Sequence, residues 1–142
     1  MLIITSASFA QLKKVEMAKA EEIGKVQVFG APVNIECTKR GDVYTFSYKD
    51  AEFPTLTEYR EFEFKDVDNT FEDLYAVIID GFEKIPEESI ILELPDYLLK
   101  LEFEKTFGVH VVRFYSSPKG GRVTASNQFT RKQIDKLFGK KK

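Results

Sequence analysis

The sequence has very few of the side chains from which catalytic and metal-binding sites are usually built. It contains one cysteine, Cys37, one histidine, His110, and no tryptophan. A single cysteine excludes an internal disulfide and a thiolate metal site made by one chain, and a single histidine excludes a histidine-rich metal site. Both residues lie in alternating apolar segments, so we expect each to be a packing residue of a strand.

The short motifs of several large enzyme classes are also absent. The sequence contains no Gly-x-Gly-x-x-Gly, Gly-x-x-x-x-Gly-Lys-Ser/Thr, Gly-x-Ser-x-Gly or His-Glu-x-x-His. The backbone turns and ligands that dinucleotide, P-loop, α/β-hydrolase and zincin sites require are therefore missing. The sequence predicts no catalytic residue, no cofactor and no bound metal, and it favours a non-enzymatic protein over an enzyme.

Long apolar runs are lacking as well. No segment reaches the ~18 apolar residues that a membrane span requires, and the first residues do not have the basic, apolar and small-residue order of a signal peptide. Together with the single cysteine, these features predict a cytoplasmic protein without membrane contact. The length of 142 residues predicts one domain over residues 1–139 and a basic tail over residues 140–142.

The hydropathy pattern of the first half predicts a helix followed by an antiparallel meander. We expect the helix to begin at Ser8, which opens a capping box, and to end at Gly24. From Lys25 onwards apolar and polar residues alternate, which is typical of three or four strands with one solvated face. The last of these strands is expected from Tyr59 to Val67.

The second half is predicted to start with a strand-helix-strand unit. Apolar residues at helical spacing from Phe71 to Phe82 predict a helix, and Pro86 stops it before a short strand over residues 89–94. If the strands on either side of this helix are parallel, the connection between them is a right-handed crossover.

A further amphipathic helix is expected from Pro95 to Lys105, closed by Gly108. A hairpin over residues 109–126 and a short terminal helix with Thr130 as its N-cap complete the chain. The predicted fold class is therefore α+β: a mixed sheet with an N-terminal antiparallel meander, a strand-helix-strand crossover, a C-terminal hairpin and a short terminal helix.

The formal net charge of −2 hides a marked division along the chain. Residues 119–142 contain eight basic residues and one acid, for a net charge of +7, while the rest of the chain carries −9. A basic hairpin tip, a helix with basic residues in its first turn and a lysine tail can follow a phosphate backbone. The predicted nucleic-acid-binding residues are Arg113, Tyr115, Lys119, Arg122, Arg131, Lys132 and Lys136.

Aromatic residues favour a protein interface instead. The sequence has thirteen phenylalanines and six tyrosines, more than we expect one small core to hide. The loop from Glu52 to Leu56 and the first helix are the expected interface segments. The leading prediction is a non-enzymatic binding protein that acts through contacts with a protein partner or with itself, using a basic C-terminal docking surface. Nucleic-acid binding through residues 113–142 is the alternative.

Six acidic residues support a second alternative. They follow or precede the predicted strand ends on both sides of the central helix: Asp66, Asp68, Glu72, Asp73, Glu93 and Asp96. If those strands are parallel neighbours, the carboxylates meet at one rim and can hold two Mg²⁺ ions. The order of elements also resembles that of ribonuclease-H-like folds, which implies a metal-dependent nuclease. The same residues also have ordinary roles in turns and at helix starts, and the early strand from Lys25 to Phe29 contributes no acid.

Overall fold

In the computed structural model of the protein, which describes residues 19–140, a four-stranded meander followed by a helix occurs twice. The first unit contains β1 (Glu21–Gln27), β2 (Val33–Arg40), β3 (Val43–Lys49), β4 (Tyr59–Lys65) and α1 (Thr70–Glu83). The second contains β5 (Ile90–Glu93), β6 (Tyr97–Thr106), β7 (Val109–Pro118), β8 (Thr124–Thr130) and α2 (Arg131–Leu137). Each meander forms its own sheet with the strands in chain order, and all neighbouring strands are antiparallel.

The two sheets bury one face each in a shared core. Alternation places Phe46 and Tyr48 of β3 on the buried face, and Phe62 of β4 packs on Phe114 of β7 with ring centroids 6.1 Å apart. Both helices pack against this core through apolar side chains at helical spacing. Nine of the phenylalanines within residues 19–140 are buried in this core: Phe46, Phe62, Phe64, Phe71, Phe82, Phe103, Phe114, Phe129 and Phe138. The core therefore holds more aromatic side chains than the composition alone led us to expect.

The predicted α+β class, the N-terminal meander, the strand-helix-strand order, the C-terminal hairpin and the terminal helix are confirmed. The capping box at the start of α2 is also present, because the Thr130 hydroxyl accepts from the Gln133 amide and the Gln133 side chain accepts from the Thr130 amide. The sequence predicted one mixed sheet, whereas the strands are divided between two antiparallel sheets. Strands β4 and β5, on either side of α1, belong to different sheets and are not parallel neighbours.

The helix predicted from Pro95 to Lys105 is wrong, because these residues form most of β6. Leucine, lysine and glutamate favour helices in isolation, but alternate side chains of this segment face the core. The segment also pairs with β7 along ten residues. A two-residue turn joins the strands, with positive φ at Phe107 (50°) and Gly108 (80°), as a tight hairpin requires.

The predicted first helix is only partly tested. Residues 8–18 lie outside the described residues, whereas residues 21–24 belong to β1, so Gly24 does not end a helix. Of the predicted basic tail, Lys140 is described and residues 141–142 are not. Neither helix within residues 19–140 has the length and apolar character needed to cross a membrane.

Candidate functional site at the loop end

The residues predicted to bind nucleic acid fall into three separate groups. Arg113 and Tyr115 lie on β7 on the solvent side of the second sheet, opposite Glu102 and Lys100 of β6. The Tyr115 hydroxyl donates to Glu102 Oε1 at 3.0 Å, and Lys100 Nζ lies 4.5 Å from the centre of the Tyr115 ring. One face of this ring is therefore already covered by a cation, and its hydroxyl is already bonded.

The other predicted residues lie at opposite ends of β8. Lys119 and Arg122 belong to the turn between β7 and β8, whereas Arg131, Lys132 and Lys136 belong to α2, beyond the seven residues of β8. A strand of that length spans about 20 Å. Several of these cations, and Lys140, have acidic partners: Lys119 with Glu93 (2.7 Å), Arg122 with Glu52 (3.2 Å), Arg131 with Glu83 (3.4 Å) and Lys140 with Glu72 (2.7 Å).

The six acidic residues do not form the rim that a metal-dependent nuclease needs. Asp66 Oδ1 accepts from the Phe71 amide at 3.0 Å and so caps the first turn of α1, and Asp68 adopts the positive φ of a turn. Glu72 pairs with Lys140, and Asp96 lies in the turn between β5 and β6. Within residues 19–140, no three His, Cys, Asp or Glu side chains are grouped so that they can hold a metal ion. The predicted acidic rim required the strands on either side of α1 to be parallel neighbours, whereas β4 and β5 lie in different sheets.

The contacts of Cys37 and His110 are those of residues that stabilise the fold. Cys37 is fully buried on β2, and burial, followed by the nearby Glu36 carboxylate, raises the pKa of its thiol to about 12. His110 Nδ1 lies 2.8 Å from the Phe82 carbonyl oxygen, which can only accept, so Nδ1–H donates to the end of α1.

Three connections meet at one end of the molecule, and we call them the loop end: residues 28–32, 50–58 and 119–123. The Ala51 amide donates to the Ala125 carbonyl at 2.9 Å, which joins the loop after β3 to the strand after the β7–β8 turn. The Tyr59 hydroxyl donates to the Val33 carbonyl at 2.7 Å, which joins the same loop to the β1–β2 turn. The loop that the sequence predicts as an interface therefore adjoins the basic hairpin tip.

A buried carboxylate organises the charged groups of the loop end. Asp50 is completely buried, and its Oδ1 accepts from the Glu52 amide at 2.9 Å. Its Oδ2 lies 3.2 Å from Arg60 Nε and 3.8 Å from Arg122 Nη2. A carboxylate removed from water requires such donors, and in return it fixes the position of the Arg60 guanidinium group, while Arg122 lies at ion-pair distance.

Hydroxyl groups connect the two sheets next to this cluster. The Tyr48 hydroxyl of β3 forms a short hydrogen bond with Ser116 Oγ of β7 and another of 2.6 Å with Thr124 Oγ1 of β8. Burial raises the pKa of Tyr48, so this side chain stays protonated over a wide range of pH. The hydrogen bonds among the hydroxyl groups of Tyr48, Ser116 and Thr124 hold the β7–β8 hairpin against the first sheet.

A pocket of about 370 Å³ opens between the sheets at this point. Two guanidinium groups lie on its lining together with two tyrosines and two hydroxyl residues, and the full lining is Tyr59, Arg60, Glu61, Tyr97, Ser116, Pro118, Arg122 and Thr124. Burial raises the pKa of Tyr97, and the carboxylates of Glu63, Glu61 and Asp96 raise it further. The lining therefore contains both guanidinium groups and a carboxylate, Glu61.

Exposed apolar side chains also belong to the loop end. Phe29 is fully exposed, Leu56 is 53% exposed and Val123 is 61% exposed. Val123, which follows the pocket residue Arg122, lines a groove of about 210 Å³ on the second sheet, together with Ile91 and Leu98. Exposed apolar side chains beside a pocket are common at binding sites.

No protein-family model, no curated protein and no solved structure matches this chain.

Sequence reasoning found only part of the loop end. Arg122 and the Glu52–Leu56 loop were predicted as parts of two different surfaces, whereas Asp50, Arg60 and Tyr97 were not predicted at all. The only local signal for Asp50 is an acidic residue directly after an alternating strand, and many turns have the same feature. Its burial results from contacts with residues 60 and 122, which no short sequence window contains.

Proposed function

We propose that the protein is a non-enzymatic binding protein that recognises a protein partner through the loop end. The observation on which this proposal rests is the combination of exposed apolar side chains, among them Leu56 and Val123, with a pocket in which a buried carboxylate holds Arg60 next to Arg122. Protein interfaces commonly have aromatic and arginine side chains at their centre. The basic hairpin tip with Lys119 and Arg122 is part of this docking surface.

The internal bonding of the loop end supports the same proposal. Asp50 orients Arg60, and the Tyr48 hydroxyl holds β7 and β8 in place. A surface whose side chains are already ordered loses less conformational entropy when a partner binds. Such rigidity favours specific recognition of one partner.

The test uses apolar-to-charged variants with a matched control. Val123→Asp and Leu56→Asp place a charge in the proposed interface, and Val67→Asp does the same at a valine of similar exposure, 55%, near the opposite end of the first sheet. Proteins from the native host that bind the immobilised full chain are identified, purified and titrated against each variant. We expect Val67→Asp to bind like the parent and both loop-end variants to bind at least about tenfold more weakly.

Equal binding by all variants would overturn the proposal. If the captured partner is a second copy of the chain, sedimentation of the parent and of Val123→Asp distinguishes self-association from a different partner. We also propose a cytoplasmic location, which is supported by the single, buried cysteine.

Nucleic-acid binding through residues 113–142 remains the alternative proposal, and one feature of α2 favours it. Lys132 and Lys136 are four residues apart, so they share one face of the helix, and neither has an ion pair within the part of the chain that the structure describes. Unpaired cations on one helix face are suited to neighbouring phosphates.

A further inference from the structure

We infer that the pocket at the loop end binds a carboxylate group, with Arg60 as its principal donor and Arg122 as the second. The inference rests on the proposed function, since the carboxylate is expected to belong to the protein partner. It is either the side chain of an acidic residue or the C-terminal carboxylate of the partner.

The hydrogen-bonding capacity of Arg60 is the first argument. Its Nε donates to Asp50 Oδ2, and its two amino nitrogens make no hydrogen bond within residues 19–140. The side chain is 38% exposed and lies on the lining of the pocket. A guanidinium group held through Nε keeps a pair of donors that matches the two oxygens of a carboxylate.

The weak pairing of Arg122 is the second argument. Its Nη2 lies 3.8 Å from Asp50 Oδ2, which is too long for a hydrogen bond. Its other acidic partner is Glu52, whose side chain is largely exposed, so water screens this pair. Arg122 can therefore turn towards an anion that binds Arg60.

The acidic residues close to Tyr97 limit where a carboxylate can bind. Glu61 and Tyr97 both line the pocket, and the charges of Glu63, Glu61 and Asp96 raise the pKa of Tyr97. This negative charge disfavours a carboxylate at Tyr97 and favours one at Arg60 and Arg122. Tyr59, Tyr97 and Pro118 also line the pocket and can contact the apolar part of the same ligand residue.

Small blocked amino acids provide probes that isolate the carboxylate. N-acetyl-phenylalanine has a C-terminal carboxylate, and N-acetyl-phenylalaninamide lacks it. N-acetyl-aspartic acid α-amide, which has a free side-chain carboxylate, represents an internal acidic residue. Each is titrated into the ¹⁵N-labelled full chain, and the Arg60 Nε–H signal and the backbone amides of the loop end are followed. We expect saturable shifts with one or both carboxylate probes and none with the amide.

Variants identify the donors. Arg60→Gln should weaken carboxylate binding at least about tenfold, since two charge-assisted hydrogen bonds are lost, whereas the control Arg40→Gln, an exposed arginine at the far end of β2, should leave it unchanged. Arg60→Lys keeps a positive charge beside Asp50 and therefore the fold, but it lacks the paired donors. It should also bind more weakly than the parent.

Three results would each overturn the inference. The carboxylate probes and the amide could give equal shifts, no probe could give a shift, or Arg60→Lys could bind the carboxylate probes as tightly as the parent does. The proposed function is still supported after any of these outcomes if Val123→Asp weakens binding of the protein partner. Conversely, if carboxylate probes bind but Val123→Asp does not affect the partner, the pocket is confirmed and the proposed docking surface is wrong.

Discussion

Asp50 is the residue on which the geometry of the loop end depends most directly. Its side chain is fully buried, and it accepts from the Glu52 amide and from Arg60 while Arg122 lies nearby. Burying a carboxylate is unfavourable unless donors replace its lost water, so these contacts form as a group. The same contacts set the shape of the loop after β3 and the position of the β7–β8 turn.

Replacing Asp50 tests this role at the scale of one residue. Asp50→Asn keeps the shape of the side chain but removes the charge, so we expect the free energy of unfolding in urea to fall by about 2 kcal/mol. Asp42→Asn is the matched control, because Asp42 is exposed and lies 3.8 Å from an exposed lysine. The control should change stability by less than about 1 kcal/mol. Equal losses in the two variants would contradict the organising role of Asp50.

The reactivity of Cys37 is a second prediction at this scale. Because burial raises the pKa of the thiol to about 12, very little thiolate exists in the folded chain at pH 8, and access to the sulfur is also blocked. We expect a disulfide reagent such as Ellman's reagent to react slowly with the folded protein and rapidly with the chain in urea. Rapid stoichiometric reaction of the folded chain at pH 8 would show that Cys37 is accessible.

The elements differ in how far local sequence determines them. Helix α1 follows from the spacing of Phe71, Leu74, Ile78 and Phe82, and α2 follows from its capping box, because both signals are local. Strand β6 could not be predicted in the same way. Its leucine and glutamate residues fit a helix equally well, and the ten-residue pairing with β7 decides the outcome.

Gly81 shows how α1 is held against the second sheet. A Cβ atom at this position would lie 2.2 Å from the Phe103 ring, so the helix and β6 are in contact at the glycine itself. Gly81→Ala should therefore lower the free energy of unfolding by about 1–3 kcal/mol, even though alanine is the better helix former.

The reverse exchange at an exposed site of the same helix provides the control. Ala76 is exposed, so Ala76→Gly should cost only the helix propensity, about 1 kcal/mol. Both variants are measured by urea unfolding. A more stable Gly81→Ala variant would mean that α1 does not approach β6 as closely as the structure indicates.

At the scale of the whole molecule, two features could not be predicted from the sequence: the division of the strands between two sheets, and the loop end. Asp50 and Arg60 are ten residues apart, but Arg122 comes from the second sheet. Local patterns identify strands and turns, whereas the packing of one sheet on the other determines which turns become neighbours. The charge division along the chain was visible in the sequence, but the ion pairs that compensate it depend on the fold.

The nucleic-acid alternative leads to a prediction at this scale. If α2 contacts phosphates, single-stranded or double-stranded nucleic acid should bind at low salt, and affinity should fall steeply with added salt. Lys132→Glu and Lys136→Glu should then abolish binding, while Lys49→Glu at the end of β3 should have a small effect. Under the proposed function we expect no salt-dependent binding, and fluorescence anisotropy at two salt concentrations distinguishes the two.

Hydrogen-deuterium exchange of the full chain with and without its purified protein partner tests the central claim most directly. The account predicts that the partner slows amide exchange in residues 28–32, 50–58 and 119–123 and leaves α2 unchanged. Protection confined to α2 or to the solvent face of the first sheet, with unchanged exchange at the loop end, would contradict it.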